Sequence, residues 1–192
     1  MTIKKELLIN LLIFTIPFTF IAGNLVLNLN ILLILIFSSL FYGLKIFDEK
    51  FEIVDKAILI FFLYICANGI VNSFLDSNES KTILIKSFIY LRFLFLYFVI
   101  KFLVINNIIN YKYFFLSIGG ACIFVVLDLF LQFSFGKDIF GYVAKDPRRL
   151  GGPFGDELIA GGYIQRFYIF AIYFALIFLK FKNKVQQNIL II

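Results

Sequence analysis

Histidine is absent from the 192 residues, cysteine occurs twice, and only 16% of positions are charged. Without histidine the chain lacks the commonest general base and the commonest metal ligand. Two cysteines make no disulfide framework, and Cys66 and Cys122 both sit in long apolar stretches, where packing is their expected role. No Gly-x-x-x-x-Gly-Lys-Ser/Thr phosphate loop, no Gly-x-Ser-x-Gly elbow and no Cys/His metal spacing occurs. Neither a metal nor a cofactor is therefore expected. A soluble domain carries charge at about a quarter of its positions, so the low charge also argues against a water-facing surface.

The chain has apolar bulk instead. Hydrophobic residues make up 62%, 28 residues are Phe, and the mean hydropathy is +0.99. These residues come in blocks, roughly 7–22, 25–43, 56–74, 83–104, 111–135 and 158–180. Spanning a hydrocarbon core of ~30 Å takes about 20 helical residues, and lipid offers no partner to a bare backbone, so each block should be a helix. The expected fold is all-α: a single polytopic bundle over residues 1–192, with six complete helices. The run Asn188-Ile189-Leu190-Ile191-Ile192 reads as the start of a seventh. On that reading the sequence is the front part of a longer protein or a truncated copy of one. Lys4 and Lys5 precede the first block, but its exit, Phe20-Ile21-Ala22-Gly23-Asn24, has no small-x-small cleavage site, so it reads as a retained helix. Gly23-Asn24 leaves room only for a tight hairpin.

Cytoplasmic loops collect Lys and Arg. With the N-terminus inside, ten such residues lie on inner segments and five on outer ones. The +6 formal charge is thus topological, and nucleic acid is not an expected partner. The expected chain is a multi-pass membrane protein with its N-terminus in the cytoplasm. Depth follows from 1.5 Å per residue. Asn28, Asn30, Asn68, Asn72, Lys86, Arg92, Asp128, Gln132 and Arg166 all then fall in the outer half, with nothing comparable in the inner half. Charge inside a bilayer usually faces a wet cavity or a protein interior. Asp128 can neutralise Arg92 or Arg166 but not both, which would leave one cation to meet an anion in an outward-opening pocket. The competing reading is snorkelling arginines and structural ties between helices.

The loop 136–157 is the most distinctive segment. Arg148-Arg149 offers forked donors suited to phosphate oxygens, and Gly151, Gly152 and Gly155 let backbone approach a ligand. Asp156 and Glu157 are expected to favour the start of the sixth helix through its dipole. Ala160, Gly161 and Gly162 should allow close helix packing, with Gly162 and Arg166 on one face.

In this region the chain resembles the O-antigen ligase and O-antigen polymerase-like membrane proteins. The resembling elements are Asp128-x-x-x-Gln132, Gly136-Lys137-Asp138-Ile139-Phe140-Gly141, Arg149-Leu150-Gly151-Gly152-Pro153-Phe154-Gly155-Asp156-Glu157-Leu158 and Gly162-Tyr163-Ile164-Gln165-Arg166. Similarity is sharpest over residues 125–170 and looser in the opening hairpin and in Leu91-Arg92-Phe93. The resemblance implies a multi-helix enzyme of surface polysaccharide or lipopolysaccharide assembly, located in the cytoplasmic (inner) membrane of a bacterium and working on its periplasmic face. It would move a glycan from undecaprenyl diphosphate to an acceptor hydroxyl, and as a fragment could be inactive alone. By that analogy Arg149 and Arg166 hold the diphosphate, while Arg92, Asp128, Gln132 and Arg148 support the pocket. No general base is assigned; Glu157 is a possible one by position only. The rival readings are a transporter or flippase, favoured by helices broken near the midplane, and a non-catalytic membrane partner.

Overall fold

The computed structural model describes residues 2–75, 80–144 and 149–178. The chain is all-α, as its apolar blocks require. Its helices are α1 (Thr2–Ala22), α2 (Asn24–Tyr42), α3 (Ile53–Leu75), α4 (Ser80–Ile89), α5 (Leu91–Ile105), α6 (Tyr111–Phe135) and α7 (Ala160–Phe178). Among the described residues, five apolar stretches, Lys4–Ala22, Asn24–Phe47, Ile53–Phe74, Lys81–Ile105 and Tyr111–Phe135, are long enough to cross a membrane. The protein is accordingly built as a multi-pass membrane protein. The run expected to start a seventh helix lies outside the described residues.

The expected fourth helix is interrupted once. The Phe93 N–H bonds to the Tyr90 carbonyl at 3.0 Å, a tightened three-residue turn that separates α4 from α5. The sixth begins at Ala160 rather than Leu158: its first bond runs from the Tyr163 N–H to the Ile159 carbonyl (2.8 Å), while the Glu157 N–H turns back to the Phe154 carbonyl (3.2 Å). Asp156 and Glu157 consequently lie outside the first turn of α7, and the expected dipole role is not theirs.

Two compact units are present, Met1–Asn30 with Ile109–Ile192, and Ile31–Ile108. In the first, α6 packs against α7 and α1 around Ile118, Ala121, Cys122, Val125, Ala160 and Tyr163. Lipid is as apolar as these side chains, so packing and hydrogen bonds must hold the helices together. Gly23, with φ 107°, turns the chain between α1 and α2 in one residue. Asn30, only 5% exposed, then donates to the Leu12 carbonyl (3.1 Å) and to Thr15 Oγ1 (3.3 Å), tying the hairpin. The Tyr163 hydroxyl donates to the Pro17 carbonyl at 2.9 Å, linking α7 to α1.

In the second unit α3 packs closely on α4. A Cβ at Gly69 would fall on the Ser87 side chain, so only glycine permits the approach. Phe47, in the 3-10 turn Gly43–Phe47, stacks on Phe95 of α5 with centroids 5.7 Å apart. Asp55, 1% exposed near the start of α3, accepts from Lys101 Nζ (2.5 Å), the Tyr97 hydroxyl (2.6 Å) and the Glu52 N–H (2.6 Å). This buried charged cluster lies at the opposite end of α3 from Asn68 and Asn72, the end expected to face the cytoplasm. The expectation that polar groups gather only in the outer half is thereby corrected.

Candidate functional site

The loop 136–158 of the first unit is shaped by two side chains of α6. Asp128 and Gln132, four residues apart and so on one face, are 0% and 2% exposed. Gly136 ends α6 in a left-handed conformation. The chain then folds back as a short hairpin, in which Tyr142 N–H donates to Asp138 Oδ1 (2.6 Å) and Asp138 N–H to the Tyr142 carbonyl (3.1 Å). Asp128 Oδ1 accepts from the Ile139 N–H at 2.7 Å. Gln132 holds both arms of the loop: its Nε2 donates to the Tyr142 carbonyl (3.3 Å) and its Oε1 accepts from the buried Gly152 N–H (2.9 Å). A buried amide left without an acceptor costs about 1–3 kcal/mol, so these bonds specify where the loop sits.

Residues 151–155 close the structure. Gly155 takes φ 61° and ψ −121°, a conformation essentially restricted to glycine, with the Tyr142 ring packed where a side chain would go. A Cβ at Gly151 would run into the Gly155 carbonyl. Phe154 meets Tyr163 at 5.4 Å, Tyr163 meets Phe167 at 4.6 Å, and Phe167 meets Phe20 of α1 at 5.4 Å. This aromatic column anchors the loop to α7 and α1.

Two clefts flank that column. One, of about 350 Å³, is lined by Gln132, Val143, Ala144, Arg149, Gly151, Gly155, Asp156 and Leu158. The other, of about 600 Å³, is lined by Phe20, Phe154, Leu158, Ile159, Gly162, Tyr163, Arg166 and Phe167. Leu158 borders both. The first is faced by a guanidinium, a carboxamide and a carboxylate; the second is a trough of rings and aliphatic groups with one guanidinium. Arg149 and Arg166 are exposed and form no ion pair among the described residues.

The sequence-expected residues thus divide. Gln132 and Arg149 share a cleft, and Arg166 borders the neighbouring one with Gly162, as their common face predicts. Asp128 lies beneath the loop as a backbone anchor and forms no ion pair with Arg166. Its Oδ2 and that of Asp138 are buried without a partner among the described residues. Arg92 belongs to the second unit, where its guanidinium lies 4.8 Å from the Phe93 ring centre. Arg148 lies outside the described residues. Gly161 and Gly162 have open space around them, so of the three small residues only Ala160 packs.

Sequence reasoning missed the Asp55–Tyr97–Lys101 cluster, whose partners are more than 40 residues apart. It assigned no role to Asp138 and did not find Tyr163 as the tie to α1. Among the described residues no group of three or more His, Cys, Asp or Glu is placed to hold a metal. Comparison with family models, with curated proteins and with solved structures finds no match to this chain.

Proposed function

We infer that this chain belongs to a membrane glycan transferase or polymerase of surface polysaccharide assembly, taking its glycan from undecaprenyl diphosphate. The observation that carries the reading is the pairing of clefts at Leu158, each bordered by a guanidinium with no carboxylate partner among the described residues. One cleft is polar and the other is an aromatic trough, which suits an amphiphile with an anionic head. Arg149 and Arg166 would bind the diphosphate and stabilise the charge it gains as the leaving group, often the largest catalytic contribution. Gln132, through Gly152, would position Arg149. The Lys distribution supports an N-terminus in the cytoplasm and the loop on the periplasmic face of the bacterial inner membrane.

The test is complementation of a glycan-deficient strain by a complete reading frame that carries this sequence. Arg149→Ala and Arg166→Ala are expected to abolish the glycan ladder while membrane insertion stays intact. Normal ladders from both variants would refute the assignment.

A transporter or flippase is the second reading, favoured by the interruption at Tyr90, about midway along the Lys81–Ile105 span. Movement of a labelled carrier lipid across proteoliposomes, unaffected by Arg149→Ala, would select it instead.

A further inference from the structure

Asp156 is the acidic group of the cleft that Arg149 borders, and Gln132 lines the same cleft. Its backbone is fixed on both sides. The Gly155 N–H bonds to the Gly152 carbonyl (3.3 Å) and the Glu157 N–H to the Phe154 carbonyl (3.2 Å). Gly155 keeps its glycine-only conformation with the Tyr142 ring packed against it. Strained backbone of this kind collects at ligand clamps and active sites. Asp156 stands before α7 rather than in its first turn, so the helix dipole does not account for an acid there. Glu157, next in the chain, lines neither cleft.

A carboxylate is out of place in this cleft if a diphosphate is the whole ligand, because like charges repel and weaken its hold. It suits the hydroxyl groups of a sugar, which donate hydrogen bonds that a carboxylate accepts. Arg149 forms no ion pair among the described residues. Cation and acid therefore stand as two separate points on one wall, one fitted to a leaving anion and the other to an attacking hydroxyl. Asp156 is also exposed, so a proton it takes up can pass to water.

We propose that Asp156 is the general base of the transfer, an assignment that rests on the glycan-transfer reading. The acceptor hydroxyl gives its proton to the Asp156 carboxylate as its oxygen bonds to the anomeric carbon of the glycan. The bond from that carbon to the carrier's diphosphate breaks, and its electron pair stays on the diphosphate oxygen, where Arg149 meets the charge. Asp156 then releases the proton to water. The products are the new glycoside and the free carrier diphosphate.

Two readouts on the complete reading frame separate binding from chemistry. One is binding of farnesyl diphosphate, a short carrier analogue, to the purified protein in detergent. The other is the rate of glycan-ladder formation in the deficient strain. Asp156→Asn keeps a hydrogen-bonding group but cannot act as a base. It is expected to bind farnesyl diphosphate at least as tightly as the parent, which also reports that it is folded. Its ladder formation should slow about 100-fold or more, since a lost general base costs roughly 10²–10⁴-fold, and Asp156→Glu should recover part of the rate. A parental ladder rate in Asp156→Asn would overturn the assignment. So would loss of diphosphate binding together with the ladder, which would make Asp156 a support of the loop, or a comparable slowing in Glu157→Gln with Asp156→Asn unaffected. A parent that neither binds farnesyl diphosphate nor forms a ladder would instead bring down the glycan-transfer reading, and the base with it.

Discussion

Replacing Gln132 by Leu should free the loop without disturbing the helices. Its Oε1 is the acceptor for Gly152 N–H at 2.9 Å, and Gly152 is buried, so that amide would be stranded. Stranding a buried donor costs about 1–3 kcal/mol, and the second bond, to the exposed Tyr142, contributes about 1 kcal/mol more. The loop should therefore open with about 2–4 kcal/mol less resistance, which is roughly 30- to 1,000-fold faster amide exchange at Gly152. Hydrogen exchange by mass spectrometry on the detergent-solubilised protein would read this on a peptide covering residues 149–157. Peptides from α6 and α1 should exchange as in the parent. Gln132→Glu keeps an acceptor for Gly152 but loses the donor to Tyr142, and should fall between. Unchanged exchange at Gly152 in a folded Gln132→Leu protein would refute the view that this side chain fixes the loop.

Asp128→Asn should be well tolerated, because its carbonyl oxygen can still accept from Ile139 N–H and its amide can take the place of the unpartnered Oδ2. Asp128→Ala should loosen the loop by about 1–3 kcal/mol, read by the same exchange experiment; equal effects of the two substitutions would show that the charge itself is needed. Lys101→Met should lower the thermal midpoint in detergent, since it leaves the buried Asp55 carboxylate without its cation, and adding Asp55→Asn should recover part of the loss. No recovery would mean that Lys101 stabilises chiefly by packing. Tyr163→Phe, which removes the bond to the Pro17 carbonyl, should lower that midpoint by the equivalent of about 1 kcal/mol; an unchanged midpoint would show the α1–α7 tie to be dispensable.

The helices were legible because a bilayer leaves the backbone few choices: twenty apolar residues in a row must hydrogen-bond to themselves. Asp128 and Gln132 were legible as pocket residues, and a spacing of four puts them on one face of α6. Their job was not, because it depends on the loop folding back to bring Ile139, Tyr142 and Gly152 over α6, a non-local event with no period of its own. Counting charges suggested an Asp128–arginine pair, yet a carboxylate can be met equally well by a backbone N–H, and here it is. Lys101 read as a topological charge because its partner, Asp55, lies 46 positions away. The start of α7 was misplaced by apolar Leu158 and Ile159, since apolarity marks depth in lipid but does not say which residues are helical. Asn30 and Asn68 show the same limit from the other side. Their types are identical, yet one is tied within its hairpin and the other faces outward from α3.

Carrier binding at Arg149 requires the loop that bears it to face away from the cytoplasm. Val143, 61% exposed beside the first cleft, and Leu44, 82% exposed in the turn after α2, suit a direct test, because the native Cys66 and Cys122 are buried. In spheroplasts treated with a membrane-impermeant maleimide, Val143→Cys should label without lysis and Leu44→Cys only after it. The reverse pattern would place the guanidinium groups on the ribosome side and rule out a carrier site on the periplasmic face.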